Sequence, residues 1–362
     1  MIASPTPQIR IMRHGALRII ELNRPEALNA LTLEMVRAMT AALEAYEHDP
    51  AVGLVVVRGA GERGLCAGGD IRTLYNSVRA NDGWVEDFWR EEYALNARIA
   101  RFPKPCVAIM DGFVMGGGVG ISAHASHRIV TERTKFAMPE TAIGLMPDVG
   151  TTYLLPKAPG EAGTCLALTS MTANANDAIY TGFADYLVPS SELSALQEDL
   201  VHLPATVSNA GVASIIEAYA VNPDSSILNE ERALIDRCMA ADRIETIEEE
   251  LARAATPYAK ELLDTLRTRS PTALKVTLAL LRKGRTSASL AECLNREFTA
   301  MMHAASQHDP IEGIRAAVID KDRNPKWNPS QLAAVTDNDV SAFFAASGRE
   351  PLDLSSFRET SQ

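Results

Sequence analysis

Two glycine-rich segments and a pair of acidic residues have the types and spacing of a reactive centre. The segments are 66–70 (CAGGD) and 115–118 (MGGG), about fifty residues apart, and each follows a short apolar run typical of a buried strand. Glycine allows the main chain to approach a ligand closely, so both segments can direct N–H groups at a carbonyl oxygen. Two such donors on one oxygen form an oxyanion hole, and we predict Gly69 and Gly117 as the donors.

Each glycine segment taken alone is better explained by a tight turn that lets a strand and a helix pack closely, because short glycine motifs are common. The run 116–123 (GGGVGISA) is typical of a loop that opens a helix, whose first N–H groups would point at the same oxygen. The two segments and the acids together favour a site.

Glu140 lies in an apolar stretch, FAMPETAIGL at 136–145, which disfavours its charged form and raises its basicity. Such a carboxylate suits a general base or a nucleophile. Asp148 follows eight residues later in the sequence PDVG. From spacing alone, Glu140 is equally explained as an acid in the first turn of a helix, and Asp148 as a turn or N-cap residue.

Other reactive side chains give weaker signals. No histidine lies near Cys66 in the sequence to act as its base, so we interpret Cys66 as a small buried residue. His124 and His127 are three residues apart, but no third ligand is near them, so the sequence does not favour a metal site.

The composition excludes several classes of partner. The 362 residues carry a formal net charge of −11, and no basic run is present, so we expect neither nucleic acid nor an anionic membrane as a partner. The longest apolar stretches fall short of the ~20 residues of a membrane span. Five cysteines without paired spacing suit reduced thiols, and residues 1–7 lack the pattern of an import signal, so we expect a cytoplasmic protein.

The elements that must position these residues follow an α/β pattern. Apolar alternation predicts strands at 9–13 and 17–22, an amphipathic helix at 32–46 and a buried strand at 54–57. This ββα order of elements continues to about residue 190 and is followed by helices. We predict a core domain with the active site at 1–190, a helical subdomain at 191–335 and a weakly structured tail at 336–362.

A helical excursion at 71–101 separates the two glycine segments and is positioned to form one wall of a pocket. We interpret its aromatic residues mainly as helix core with solvated charges beside them. The aromatic residues concerned are Tyr75, Trp84, Phe88, Trp89 and Tyr93.

Several of these motifs together resemble the crotonase (enoyl-CoA hydratase/isomerase) superfamily. The matching segments are 23–25 (NRP), 28–31 (LNAL), 66–70, 115–118 and 139–140 (PE). Further segments resemble the 3-hydroxyisobutyryl-CoA hydrolase branch of the superfamily: 90–93 (REEY), 136–145, 147–150 (PDVG), 270–272 (SPT), 320–322 (DKD) and 324–327 (NPKW). The resemblance covers nearly all of residues 20–335.

The resemblance implies a crotonase-like ββα spiral core, followed by an all-helical C-terminal region, and a coenzyme A thioester substrate. It implies hydrolysis of a short 3-hydroxyacyl-CoA, 3-hydroxyisobutyryl-CoA of valine catabolism above all, without a cofactor, since CoA is part of the substrate. In this interpretation the N–H groups of Gly69 and Gly117 form the oxyanion hole, Glu140 and Asp148 are catalytic, and Glu92 contacts the substrate.

The resemblance also places the coenzyme near Leu28 and the loop from Ala67 to Asp70. Arg24 is a candidate phosphate contact, and a structural role for it is equally compatible with the sequence. Related proteins often form trimers or hexamers, so a homo-oligomer is one interpretation; in the other, the long helical second half folds over the pocket of its own chain.

An alternative is hydration or isomerisation of an enoyl-CoA, and another is a non-catalytic CoA-thioester binding protein. Hydratases of the superfamily carry their first catalytic glutamate where this chain has Gly120, so the two-glutamate water-addition machinery is incomplete here.

Overall fold

Strands arranged in consecutive pairs dominate the first half of the chain in the computed structural model, which describes residues 6–345 and 348–354. The strands β1 to β9 are, in chain order, Ile9–His14, Leu17–Leu22, Leu54–Gly59, Gly64–Cys66, Cys106–Met110, Phe113–Met115, His127–Val130, Lys135–Ala137 and Tyr186–Leu187.

The strand pairs divide between two sheets. The longer sheet has the order β1-β2-β3-β5-β7-β9, and the shorter has the order β4-β6-β8. The β1–β2 hairpin is antiparallel and every other pairing is parallel. In each of three successive units the first strand joins the long sheet and the second joins the short one. This is the ββα spiral that the sequence predicted.

Helices connect these units and make up the rest of the chain. In chain order, helices α1 to α17 are Leu33–Glu47, Ile71–Ala80, Trp84–Ala100, Gly117–Gly120, Thr151–Leu154, Ala162–Thr169, Ala175–Tyr180, Leu193–Val201, Asn209–Glu217, Ile227–Glu230, Arg232–Met239, Ile244–Ala254, Pro257–Leu266, Pro271–Gly284, Leu290–Ala304, His308–Ile314 and Asp337–Ala342. Short 3-10 helices lie at Pro25–Ala27, Glu140–Ile143, Leu155–Lys157, Ser190–Glu192 and Leu332–Ala334, and a π-helical turn at Arg315–Ile319.

Local sequence explains why the first elements form where they do. The Thr32 side chain accepts a hydrogen bond from the Met35 N–H and so caps α1, the helix predicted at 32–46. The predicted hairpin and the strand at 54–57 correspond to β1, β2 and β3. The predicted helical excursion at 71–101 corresponds to α2 and α3.

The long sheet is buried on both faces, which is why β5 and the first four residues of β3 are continuous apolar runs. Alternate residues of the sheet's strands, such as Ile19 and Val56, pack against Leu196 of α8 and Ile216 of α9. The opposite face belongs to the main core, which also includes residues of α1, α3, α6 and the helices from α11 to α15. The predicted boundary near residue 190 therefore marks a change from strands to helices within a continuous apolar core.

The tail at 336–362, which was predicted to be weakly structured, contains helix α17. Thr336 is the N-cap residue of this helix and forms a reciprocal capping box. Further along, the N–H of Leu352 donates to Asn295 on α15. Two parts of this tail, residues 346–347 and 355–362, lie outside the described residues. The same is true of residues 1–5, which belong to the segment expected to lack an import signal. Among the residues that the structure describes, none of the helices has the length and apolar character needed to cross a membrane.

Candidate active site

The three sequence motifs meet because they follow neighbouring strands of the short sheet. Strand β4 ends at Cys66, β6 at Met115 and β8 at Ala137, and the three strands are parallel with β6 in the middle. The carboxyl ends of parallel strands lie at one edge of a sheet, which is where ligands bind in open α/β sheets. The two glycine segments and Glu140 therefore converge at this edge.

The two predicted oxyanion donors lie side by side. The nitrogen of Gly69 is 3.3 Å from the position that a Cβ atom on Gly117 would occupy. The N–H groups of the flanking residues Asp70 and Gly116 donate to main-chain carbonyls, whereas those of Gly69 and Gly117 have no acceptor among residues 6–345 and 348–354. The geometry thus leaves two adjacent donors available to one oxygen atom.

The residue before each donor requires glycine. Gly68 has a φ of +106° and Gly116 a φ of +49°, both in the left-handed region that a side chain disfavours. These turns rotate the following peptide groups out of the strand direction, so that the N–H groups of residues 69 and 117 are not used by the sheet.

Two carboxyl groups lie against the second glycine segment, at Gly116 and at the donor Gly117. A Cβ on Gly116 would be 2.9 Å from Oε1 of Glu140, and a Cβ on Gly117 would overlap Oε1 of Glu92. Glu92 is 2% exposed and Glu140 6% exposed. Oε1 of Glu92 and Oε2 of Glu140 have no hydrogen-bond partner among the described residues. Buried carboxyl oxygens without partners are costly, so these two point to a ligand or water in the site.

A turn of the chain brings Asp148 to the same group of carboxyl side chains, here called the carboxyl cluster, which also contains Glu92 and Glu140. The Oδ2 atom of Asp148 accepts a hydrogen bond of 2.5 Å from the hydroxyl of Tyr93, which follows Glu92 on α3. Most of the aromatic residues on the helical excursion are core, as expected, but two of them also contribute to the site. Tyr93 binds Asp148, and the ring of Phe88 lies 3.1 Å from a Cβ placed on Gly69.

Burial and mutual repulsion disfavour ionisation throughout this cluster. Burial, followed by the charge of Asp148, raises the pKa of both Glu92 and Glu140 well above the ordinary range. Burial also raises the pKa of Asp148, to about 7, and the Tyr93 hydroxyl partly opposes this because its hydrogen bond favours the carboxylate. A carboxylate at position 140 is therefore a stronger base than an exposed glutamate.

Sequence reasoning missed Glu297 of α15. This fully buried carboxylate accepts hydrogen bonds from the N–H groups of Gly150 (2.7 Å) and Thr152 (2.9 Å) and from the Thr152 hydroxyl (2.5 Å). Burial raises the pKa of Glu297 to about 8. The only sequence signal was a glutamate on the apolar face of a helix, and nothing in its spacing pointed to residues 150–152.

The turn that Glu297 binds is strained. Val149 and Gly150 have φ values of +52° and +83°, and the left-handed region is unfavourable for a β-branched valine. The Val149 carbonyl accepts a hydrogen bond of 2.8 Å from Nε2 of His124, so this nitrogen carries the proton. Burial lowers the pKa of His124 to about 4, and the ring is neutral. His124 and Glu297 together stabilise the turn that presents Asp148.

The residues predicted to contact the coenzyme lie close to one another. The N–H of Ala67 donates to the Leu28 carbonyl (3.0 Å), and the N–H of Asp70 donates to the Leu31 carbonyl (2.9 Å). The Asp70 side chain caps α2 and forms a 3.0 Å ion pair with Arg24, which also donates to the Ala30 carbonyl. Arg24 thus has a structural role here, and the coenzyme contacts stay predictions.

The remaining reactive side chains have structural surroundings. Cys66 is fully buried, and burial raises the pKa of its thiol to about 12, in agreement with its interpretation as a small core residue. The ring of His127 is hydrogen-bonded to the Asn209 carbonyl and to Ser126, whereas His124 binds Val149.

Comparison with known proteins agrees with this architecture. A family model described as enoyl-CoA hydratase/isomerase matches residues 17–344. The chain belongs to this family. It is 42% identical to the mitochondrial 3-hydroxyisobutyryl-CoA hydrolase of Rattus norvegicus over 352 residues, which cover 96% of this chain and 91% of the rat protein. The Homo sapiens protein of the same name is 41% identical over 350 residues, covering 95% and 90% of the two chains. The resemblance drawn from the motifs is confirmed.

Two solved structures of the family are also close to this chain. A protein described as a carnitinyl-CoA dehydratase from Mycobacterium thermoresistibile superimposes with a TM-score of 0.90 and 43% identity over 95% of this chain and 98% of that one. An enoyl-CoA hydratase from Rhodobacter sphaeroides gives a TM-score of 0.89 and 41% identity over 96% of this chain and the whole of that one. Both the core and the helical half therefore follow a fold seen in family members.

Proposed function

We propose that this protein hydrolyses 3-hydroxyisobutyryl-CoA to 3-hydroxyisobutyrate and free CoA, a step of valine catabolism. The observation that carries the proposal is the pair of N–H groups of Gly69 and Gly117, which have no acceptor in the described part of the chain, close to the buried carboxyl of Glu140. The identity to hydrolases of this name over nearly the whole chain supports the choice of substrate. CoA is part of the substrate, and the proposed reaction uses no separate cofactor.

The two N–H groups stabilise the thioester oxygen as it becomes negative. Glu140 then acts in one of two ways. In the first, its carboxylate attacks the acyl carbon and expels the CoA thiolate, giving a mixed anhydride; water then opens the anhydride to the free acid and the regenerated carboxylate, and the second proton of this water goes to the thiolate sulfur. In the second, it takes a proton from a water molecule that attacks the same carbon. In the second route the proton held by Glu140 is passed to the departing sulfur. Both routes need Glu140 ionised.

Asp148 and Glu92 complete the acyl side of the site in this proposal. Asp148, fixed by the Tyr93 hydroxyl, holds the attacking water or the 3-hydroxyl of the substrate. Glu92 has a carboxyl oxygen that no described residue binds, placed against Gly117, and contacts the acyl group. Phe88 and Leu31 supply apolar surface next to the donors, which suits a short branched acyl chain.

Water addition to an enoyl-CoA is the second candidate, since the two similar solved structures are described as a dehydratase and a hydratase. The surroundings of Gly120 argue against it. A Cβ at this position would lie 2.6 Å from Cβ of Val149 and 2.9 Å from Nδ2 of Asn96, so no glutamate side chain fits there without rearrangement.

Two assays on the purified protein decide between these functions. We expect a thiol reagent to detect CoA released from 3-hydroxyisobutyryl-CoA, and the conjugated-enoyl absorbance of an enoyl-CoA to stay constant. Loss of enoyl absorbance without thiol release would favour hydration, and no change in either assay would favour a binding protein. A panel of acyl-CoA esters, compared by kcat/KM, then identifies the preferred acyl group.

The cellular setting belongs to the same proposal. The described cysteines are all free and buried, which suits a reducing compartment such as the cytoplasm, while the rat and human relatives are named as mitochondrial. Trimers or hexamers are proposed from the resemblance to the superfamily. Fractionation of the source cells and sedimentation of the purified protein test these two statements.

A further inference from the structure

Asn96 is a buried amide with no visible structural purpose. It lies on α3, is fully buried, and neither its Nδ2 nor its Oδ1 atom has a hydrogen-bond partner among the residues the structure describes. An unpaired buried amide is costly because its N–H donors and its carbonyl acceptor both lose water. An apolar residue of the same shape would fill this position at lower cost.

The position of Asn96 relates it to the carboxyl cluster. It follows Glu92 by one helical turn, so the two side chains lie on the same face of α3. Its Nδ2 atom would be 2.9 Å from a Cβ on Gly120, which lies one turn after Gly117 in α4. The same Cβ would lie 2.6 Å from Cβ of Val149, the residue after Asp148. The amide therefore lies close to both α4 and the turn that presents Asp148.

We propose that Asn96 recognises the hydroxyl group of the acyl chain and so makes the site specific for hydroxyacyl thioesters; this rests on the proposed hydrolase function. A hydroxyl both donates and accepts a hydrogen bond, and an amide offers one partner of each kind. Ionised carboxylates only accept. Asn96 also stays neutral at every working pH, so it adds no further repulsion to the carboxyl groups around it.

The consequence is discrimination against esters without the hydroxyl. A site built to hydrogen-bond a substrate hydroxyl rejects the analogue that lacks it, because the polar group of the protein is then left unpaired. The matched pair of substrates is 3-hydroxyisobutyryl-CoA and isobutyryl-CoA, which differ only in that hydroxyl.

The test compares kcat/KM for the two esters in the wild type and in Asn96→Leu, which keeps the shape but removes both hydrogen-bonding atoms. We expect the preference for the hydroxy ester to fall by at least ~10-fold, the scale of one lost hydrogen bond, with the isobutyryl ester hydrolysed at least as well as by the wild type, because no amide is then left unpaired beside it. The matched control is Thr277→Val in α14, where the hydroxyl is also buried and unpartnered. It should leave the preference unchanged.

If Asn96→Leu lowered kcat/KM equally for both esters, or left the preference for the hydroxy ester unchanged, the assignment of Asn96 would be wrong. Dissociation constants of the two esters on the inactive Glu140→Gln background give the same comparison without turnover, and there Asn96→Leu should weaken only the hydroxy ester. A purely structural role predicts a lower Tm for Asn96→Leu, whereas we expect an equal or higher Tm. If the wild type releases no CoA from either ester, the hydrolase function itself fails, which is distinct from an active wild type with unchanged preference.

Discussion

Glu140 is buried, contacts the second glycine segment, and has one carboxyl oxygen without a hydrogen-bond partner among the residues that the structure describes. Replacement by glutamine keeps its size but removes both the basicity and the nucleophilic oxygen. We expect Glu140→Gln to lower kcat by at least ~10²-fold, the usual scale for a positioned base. Ester binding, measured by calorimetry, should largely survive. A kcat within ~3-fold of the wild type would show that Glu140 is not the reacting group.

The Tyr93 hydroxyl sets the charge of Asp148. Its hydrogen bond favours the carboxylate and so opposes the rise in the pKa of Asp148 caused by burial. In Tyr93→Phe that opposition is lost, and the pKa of Asp148 rises further. We expect the acid limb of the kcat/KM profile to move to higher pH, with the rate at neutral pH reduced roughly 10- to 100-fold, as for a hydrogen bond to a charged group.

Measurement of kcat/KM between pH 5 and pH 9 in the wild type and in Tyr93→Phe checks this prediction. A reduced rate with an unmoved acid limb would mean that the hydroxyl serves packing or substrate contact, without affecting the charge of Asp148.

At the scale of elements, the turn at 147–150 depends on a helix far away in sequence. Strain at Val149 costs of the order of 1–3 kcal/mol, and the bonds from His124 and Glu297 offset it. Glu297→Gln replaces one acceptor oxygen by an amide that faces the N–H groups of Gly150 or Thr152. We expect kcat to fall roughly 10-fold through displacement of Asp148, with a smaller change in KM.

Steady-state kinetics and thermal melting of Glu297→Gln separate the two roles of this residue. Loss of Tm with an unchanged kcat would assign Glu297 to stability alone, and the positioning role would be wrong.

At the scale of the whole molecule, the carboxyl cluster makes folding depend on pH. Burial raises the pKa of Glu92 well above its ordinary value, so the unfolded chain releases this proton at a lower pH than the folded chain does. Between the two pKa values the folded state holds more protons, and raising the pH therefore favours unfolding. Glu92→Gln removes this contribution.

We expect Glu92→Gln to melt a few degrees higher than the wild type at pH 8, with the difference shrinking as the pH falls toward the ordinary pKa of a glutamate, because the unfolded chain then also takes up this proton. The same change at Glu249, an exposed residue of α12, is the control and should leave Tm unaltered. A Tm difference that grows as the pH falls would contradict the sign of this argument.

Residue types and local spacing determined much of this protein. The glycines at 68, 69, 116 and 117 and the acid at 140 lie within motifs a few residues long, each just after the strand that places it, and the motif PDVG contained Asp148. Apolar periodicity likewise determined the hairpin, α1 and the change to helices near residue 190, because each depends on interactions between near neighbours.

Tertiary structure decided the rest of the site. Three contacts join segments that are 24 to 147 residues apart in the chain. They are the hydrogen bond of Tyr93 to Asp148, the hydrogen bonds of Glu297 with the turn at 150–152, and the position of Asn96 beside Gly120. Such contacts arise only when α3 and α15 pack over the edge of the short sheet. The pKa of each carboxyl group also depends on that packing, since burial and the neighbouring charges exist only in the folded chain.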